Sequence, residues 1–242
     1  MPVRRKVELI QKERQIGPYW LPYHWCLHGF YKHYYERKYA LCRPYLKTMN
    51  IVLDIGGGDG RLAFLLSWHV KRVYCVDKEH RALVLGNMIV KDTGASVTFV
   101  TMDGQDIGFA DNTFDLATMF DVIEHIPLSA VSLVLREVYR VLIPGGLLLL
   151  TTPNRRNLRS MLWGHRLNPK HHWEYTIHEA INALVAVGFQ IRKVSGLYIP
   201  PPIPHIELLS NQYPFRPVFE LLVQLGAWLP ALSETMFLVA EK

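Results

Sequence analysis

The chain has 242 residues, with 27 Lys+Arg against 21 Asp+Glu, a formal net charge of +6. Half of the residues are hydrophobic and a fifth are charged, which suits one larger globular domain, or one domain with an appendage. That apolar content excludes disorder, and three cysteines (Cys26, Cys42 and Cys75) exclude a disulfide scaffold; Glu220, Gln224 and Pro230 break the longest apolar stretch, so a membrane span finds no support.

The start, Met-Pro-Val-Arg-Arg-Lys, lacks an apolar signal core, and a reducing, cytoplasmic setting is the expectation. From Tyr19 to Tyr45 ten aromatics fall within 27 residues, interleaved with His24, His28 and His33. This is a poor strand pattern and a crowded helical one. It predicts a helical, aromatic cap over residues 1–47, ahead of a main domain over 48–242. From Asn50 the chain turns periodic. Short apolar runs at Ile51–Ile55, Arg72–Asp77, Val97–Val100, Phe114–Phe120 and Gly146–Thr151 read as strands. Leu128–Leu142 places Val131, Val134 or Leu135, Val138 and Leu142 on one helical face, with Pro144-Gly145-Gly146 as its stop. Thr176–Val187 reads as another helix, opened by a capping box of Thr176 and Glu179 and closed by Gly188.

Strands alternating with helices imply parallel crossover units. The fold class expected is α/β, a Rossmann-like open sheet of about seven strands with helices on both faces. Gln190–Leu197 and Met236–Ala240 are two further strand candidates. Between them Pro200, Pro201, Pro202, Pro204, Pro214 and Pro217 bar a regular sheet interior. They predict a lid at about residues 198–232, carrying a helix near Val218–Leu229.

The strongest local signal is Val52-Leu-Asp54-Ile-Gly56-Gly57-Gly58-Asp59-Gly60-Arg61, an apolar strand running through a glycine turn into a helix. Glycine lets the backbone turn tightly and approach a ligand, and the helix start offers unpaired N–H groups. Asp77 ends the next strand, where an acid meets the hydroxyls of a ribose. Asp54 puts a carboxylate beneath the loop. It would repel a pyrophosphate and hold a cationic sulfonium or ammonium group.

At this point the sequence resembles the class I S-adenosylmethionine-dependent methyltransferases, from about Asn50 to Phe189. The motifs are Asp54-x-Gly56-x-Gly58-x-Gly60, the strand-end Asp77, Asp103-Gly104-Gln105, Phe109-Ala-Asp-Asn-Thr-Phe114-Asp115, Asp121-Val-Ile-Glu124-His125-Ile and Pro144-Gly145-Gly146. The resemblance implies a mostly parallel sheet with an antiparallel last strand, and S-adenosylmethionine as cofactor. Gly56, Gly58 and Gly60 would line its methionine and ribose portions, and Asp77 would hold the ribose hydroxyls. Lys78 would sit beside the adenine, whose edge Asp103 and the backbone of Gly104 would bond. Asp121 would lie at the mouth holding the transferable methyl.

His125, directly after the fourth strand, is the candidate general base, with Glu124 beside it either to orient it or to face solvent. Within the class the chain looks like the ubiquinone-pathway O-methyltransferases, which share Glu-His after the fourth strand and an Asn-Arg after the fifth, here Asn154-Arg155. That implies O-methylation of a small, hydrophobic or lipid-like acceptor and needs no metal. Residues 1–18 carry a net +3 and residues 155–172 a net +5, which suits an anionic head group or membrane surface, or simply a solvated face. Two alternatives stay open. Asp121-x-x-Glu124-His125, followed by His171-His172-Trp173-Glu174-Tyr175-Thr176, resembles the metal motif of the small-RNA 2′-O-methyltransferases, with Asp where that family has Glu. The chain could also be a non-catalytic binding or scaffold subunit that keeps the fold.

Overall fold

The expected apolar runs form strands because their aliphatic and β-branched residues can be buried on both faces of a pleated sheet. The structure, a computed structural model, describes residues 29–91, 93–203 and 215–242. The N-terminal basic stretch, the first part of the aromatic cap with His24 and His28, and Pro204 and Pro214 of the lid lie outside the described residues. In chain order the strands are β1 (Ile51–Ile55), β2 (Arg72–Asp77), β3 (Val97–Thr101), β4 (Phe114–Phe120), β5 (Leu142–Pro153), β6 (Gln190–Gly196) and β7 (Thr235–Glu241). They form one sheet in the order β3-β2-β1-β4-β5-β7-β6. β1 to β5 are parallel, and β7 runs antiparallel to both of its neighbours. The strand order reverses at β1, and ligands bind at such a switch point, beyond the carboxyl ends of the strands.

The described helices are α1 (Gly29–Cys42), α2 (Arg61–Ser67), α3 (His80–Val90), α4 (Leu128–Val141), α5 (Leu158–Trp163), α6 (Ile177–Val185) and α7 (Arg216–Trp228). Neighbouring strand residues feed opposite cores. Leu53, Ala117, Leu148 and Leu238 pack with Val131, Val134, Leu135 and Val138 of α4 and Leu184 of α6. Val52, Leu116, Leu149 and Phe237 pack with Cys42 of α1 and Leu62 and Leu66 of α2. Truncating a core leucine such as Leu135 or Leu66 to alanine costs about 2–5 kcal/mol.

Three local outcomes differ from the sequence reading or add to it. α4 ends at Val141, and Pro144-Gly145-Gly146 lies inside the irregular first part of β5 instead of ending the helix. Leu142 is already extended (ψ 144°), and Gly145 at φ +77° donates its N–H to the Lys242 carbonyl, so the turn joins the sheet. The capping box forms as expected, with Thr176 outside α6 as its N-cap. The short helix α5 had no expectation. It is started by the Asn157 side chain, which accepts from the Ser160 N–H at 2.9 Å.

Candidate active site

The β1–α2 turn is shaped by backbone geometry. Gly56, Gly58 and Gly60 sit at φ +65°, +54° and +69°, where a side chain is strained. Gly57 has a different constraint. A Cβ there would meet Cys75 Sγ at 2.5 Å and Asp54 Oδ2 at 2.7 Å. Asp77 at the end of β2 accepts the Gly58 N–H at 2.9 Å and the Glu79 N–H at 2.8 Å, which fixes its carboxylate beside the turn. Asp54 is buried in β1 and accepts a 2.6 Å bond from the hydroxyl of Thr118, its register partner on β4.

These groups border a cavity of about 400 Å³ at the carboxyl edge of the sheet. Asp54, Gly56, Gly57, Gly58, Asp77, Asp121 and His125 line it, and α1 closes it with Tyr34, Tyr35 and Lys38. The lining carries three carboxylates against one ammonium, a formal −2 from these groups, and therefore favours a cationic ligand. Gly60 starts α2 against the Phe99 ring and does not line the cavity. Neither do Lys78, Asp103 and Gly104. Lys78 is exposed and its charge acts on His125. Asp103 is exposed two residues beyond Thr101, the partner of Asp77 across β2 and β3, and accepts the Gln105 N–H at 2.9 Å. The tertiary structure thus brings Asp103 to the same edge as Asp77 without placing it on the same wall.

Asp121 adopts φ +55°, a left-handed conformation that costs a non-glycine residue energy. β5 holds it there: its N–H donates to the Thr151 carbonyl, and its Oδ1 accepts from the Thr151 hydroxyl at 2.8 Å. Its other oxygen pairs with the Lys38 ammonium, which lies 4.5 Å over the Tyr34 ring and is buried. Tyr34 is fixed in turn by a hydrogen bond between its hydroxyl and that of Thr235 at the start of β7.

Glu124 is buried behind the mouth, bonded at 3.0 Å by the hydroxyl of Thr152. Burial first, and then the Asp121 charge, push its carboxyl up to about 8, so it is protonated at neutral pH. His125 sits in the 3-10 turn Ile123–His125 after β4. Its Nδ1 lies 3.0 Å from the Lys170 carbonyl, which can only accept, so Nδ1 carries the proton and Nε2 the lone pair. Partial burial, with the neighbouring His171 and Lys78, lowers its pKa below the ordinary histidine value. The His171 ring stands perpendicular to it at 4.7 Å, with its Nδ1 2.7 Å from Glu174. Ligand atoms of Glu124, His125 and His171 all lie within 4.8 Å of one another.

Sequence reasoning missed the side chains that complete this site. Tyr34, Tyr35 and Lys38 share one stretch of α1, and the aromatic density there was the one available signal. Thr118, Thr151 and Thr152 interrupt otherwise apolar strands, and a hydroxyl inside such a run marks a buried polar partner.

A glycine turn at the switch point, an acid at the end of β2 and a negatively charged cavity define a class I, Rossmann-like, S-adenosylmethionine-dependent methyltransferase domain. The chain belongs to the Methyltransferase domain family, whose model matches residues 27–194. It is 26% identical over 174 residues to the ubiquinone biosynthesis O-methyltransferase of Rhizobium etli, covering 67% of this chain and 66% of that protein. It is 34% identical over 117 residues to the demethylmenaquinone methyltransferase of Chlamydia trachomatis serovar L2, covering 46% of this chain and 49% of that protein. The chain therefore matches about two thirds of the first relative's length and about half of the second's. Among solved structures, an S-adenosylmethionine-dependent methyltransferase from Mesorhizobium loti shares the fold at TM-score 0.60 and 19% identity, covering 85% of this chain and 98% of that one.

Proposed function

We propose that this protein methylates an oxygen of a small, hydrophobic or lipid-like acceptor, with His125 as the general base. The observation that carries the reading is His125 on the wall of the cofactor cavity, its tautomer set by the Lys170 carbonyl so that Nε2 can take a proton. S-adenosylmethionine, when bound, supplies an electrophilic methyl and departs as the neutral thioether. The chain's own residues align and desolvate. Asp54, Asp77 and Asp121 supply negative charge toward a cationic nucleoside, and the glycine turn admits it at close range. As the acceptor oxygen takes the methyl, its hydroxyl proton would go to His125 Nε2. The lowered His125 pKa keeps the ring unprotonated, and able to accept, across neutral pH.

Glu124 and the 121–125 turn position His125 without taking part in the transfer. Residues 29–47 would act as the described part of the cap over the acceptor, and α7 as part of the lid. The exposed Met161, Leu162 and Trp163 beside Arg156 and Arg159 support an acceptor presented at an anionic surface. Among the described residues no helix is long and apolar enough to cross a membrane.

A second reading, metal-assisted methylation of an RNA ribose, is favoured by the Glu124–His125–His171 cluster. His171 Nδ1 is held by Glu174, the usual way of aiming Nε2 at a metal. Against it, Lys38 and Thr151 engage Asp121, where that motif needs a carboxylate ligand.

One experiment separates the readings: a radiolabelled-methyl screen over quinols, lipids, glycosides and short RNAs, with EDTA or added Mn²⁺. Transfer to small phenolic acceptors in EDTA supports the first reading, and Mn²⁺-dependent transfer to RNA supports the second. No transfer and no S-adenosylhomocysteine binding would leave a scaffold.

A further inference from the structure

Across Tyr34 from the cofactor cavity lies a second one, of about 440 Å³, between α1, the end of β6 and α7. Tyr34 lines both cavities. The inner wall is apolar: Leu197, Tyr198, Phe219 and Val223. Tyr198 meets Tyr34 edge to face at 5.9 Å. Gly226 lets α7 close on this wall, since a Cβ there would come within 2.5 Å of the Tyr198 Cα. A volume of this size suits a small organic ligand.

The charged groups around this wall differ in one respect. Arg216 and Glu220 bond each other at 2.8 Å, and Glu36 lies 3.8 Å from both Lys32 and His33. Among the described residues Arg37 has no ion pair, and its buried Nε has no hydrogen-bond partner. A buried, unsatisfied donor on a permanent cation is costly. A carboxylate satisfies both the donor and the charge, and its two oxygens match the guanidinium fork.

We propose that this second cavity is the acceptor site, and that Arg37 selects acceptors with an apolar body and one carboxylate-type anionic group. This rests on the methyltransferase reading above and names its substrate class. An acceptor seated there borders the cofactor cavity along a single side chain, Tyr34. Its apolar part would lie between α1 and α7, with its reacting end toward Tyr34, the side chain that both cavities share.

The test uses the full chain and two probes of the same shape, naphthoate and the neutral naphthamide, titrated by calorimetry with and without saturating S-adenosylhomocysteine. Naphthoate should bind about tenfold or more tighter than naphthamide, as expected for a hydrogen bond to a charged group. Arg37→Met should erase that preference and Arg37→Lys should retain part of it, with S-adenosylhomocysteine affinity unchanged in both. Val223→Trp should exclude both probes, and S-adenosylhomocysteine binding to that variant would vouch for its fold. The proposal is overturned if neither probe binds the wild-type chain, if Arg37→Met keeps the preference, or if naphthoate displaces S-adenosylhomocysteine one for one. Failure of S-adenosylhomocysteine to bind at all would instead strike the methyltransferase reading, and the naphthoate preference would still report on the cavity.

Discussion

The two sides of the sheet's carboxyl edge are built by different means. One side comes from one short stretch, Asp54 to Asp77, and works through backbone conformation: three left-handed glycines, and a carboxylate bonded to two backbone N–H groups. The other side collects Tyr34, Lys38, Asp121, His125, Thr151, His171 and Thr235 from across the chain and works through side chains. The first should therefore fail by steric exclusion. The second should fail by graded loss of chemistry.

The largest effect expected on cofactor affinity is on the backbone side. Gly57→Val should reduce S-adenosylhomocysteine affinity by about 100-fold or more, because the added carbons enter space held by Cys75 and Asp54. Calorimetry measures it, and a thermal melt shows whether the sheet survives. Wild-type affinity in that variant would break the comparison.

On the side-chain edge, His125→Ala should lower kcat by about 10²–10⁴-fold and leave cofactor affinity nearly unchanged. The sign of the pH dependence follows from the lowered His125 pKa. The base is lost by protonation, so the fall in kcat on acidification should be centred below the ordinary histidine value near 6.5, and His125→Ala should remove that acid limb. A pH profile of both enzymes checks this.

Asp77→Asn keeps the shape of the β2 end but removes its charge. It should weaken S-adenosylhomocysteine binding by about 10–100-fold, the worth of hydrogen bonds to an ionised group, with little change in kcat. A change confined to kcat would place Asp77 on the wrong side of the comparison.

The smallest effect is on stability. The Glu124 carboxyl is pushed up to about 8 in the fold, above its ordinary 4.5. Its ionisation therefore favours unfolding, and wild-type stability should decline as pH rises from about 4.5 to about 8. Glu124→Gln cannot ionise and should flatten that decline, with each kcal/mol recovered raising Tm by about 2–4 °C. Melts at pH 6 and pH 9 decide it; parallel declines would mean that Glu124 is ionised in the fold.

The glycine turn, Asp54, Asp77 and the strand-helix alternation were legible because each is a pattern within a few residues. Residues contiguous in a β-strand–turn–α-helix unit carry their geometry with them. His125 was legible for the same reason, one turn beyond β4. The Pro-Gly-Gly run was misplaced as a helix stop because only the pairing of Gly145 with Lys242, at the far end of the chain, draws it into β5.

The amino-acid order alone thus set the sheet, the switch point and the acidic, glycine-lined edge, since periodicity and turn chemistry act locally. Tertiary structure alone decided that Thr118 satisfies Asp54, that Lys38 meets Asp121, that Asp103 stands off the cavity wall, and that Tyr34 divides two cavities. These are pairings between residues distant along the chain, and no local propensity encodes which buried charge finds which partner. Asp54, Lys38 and Asp121 each gain a partner when the strands and α1 close together, because a buried charge without one is costly.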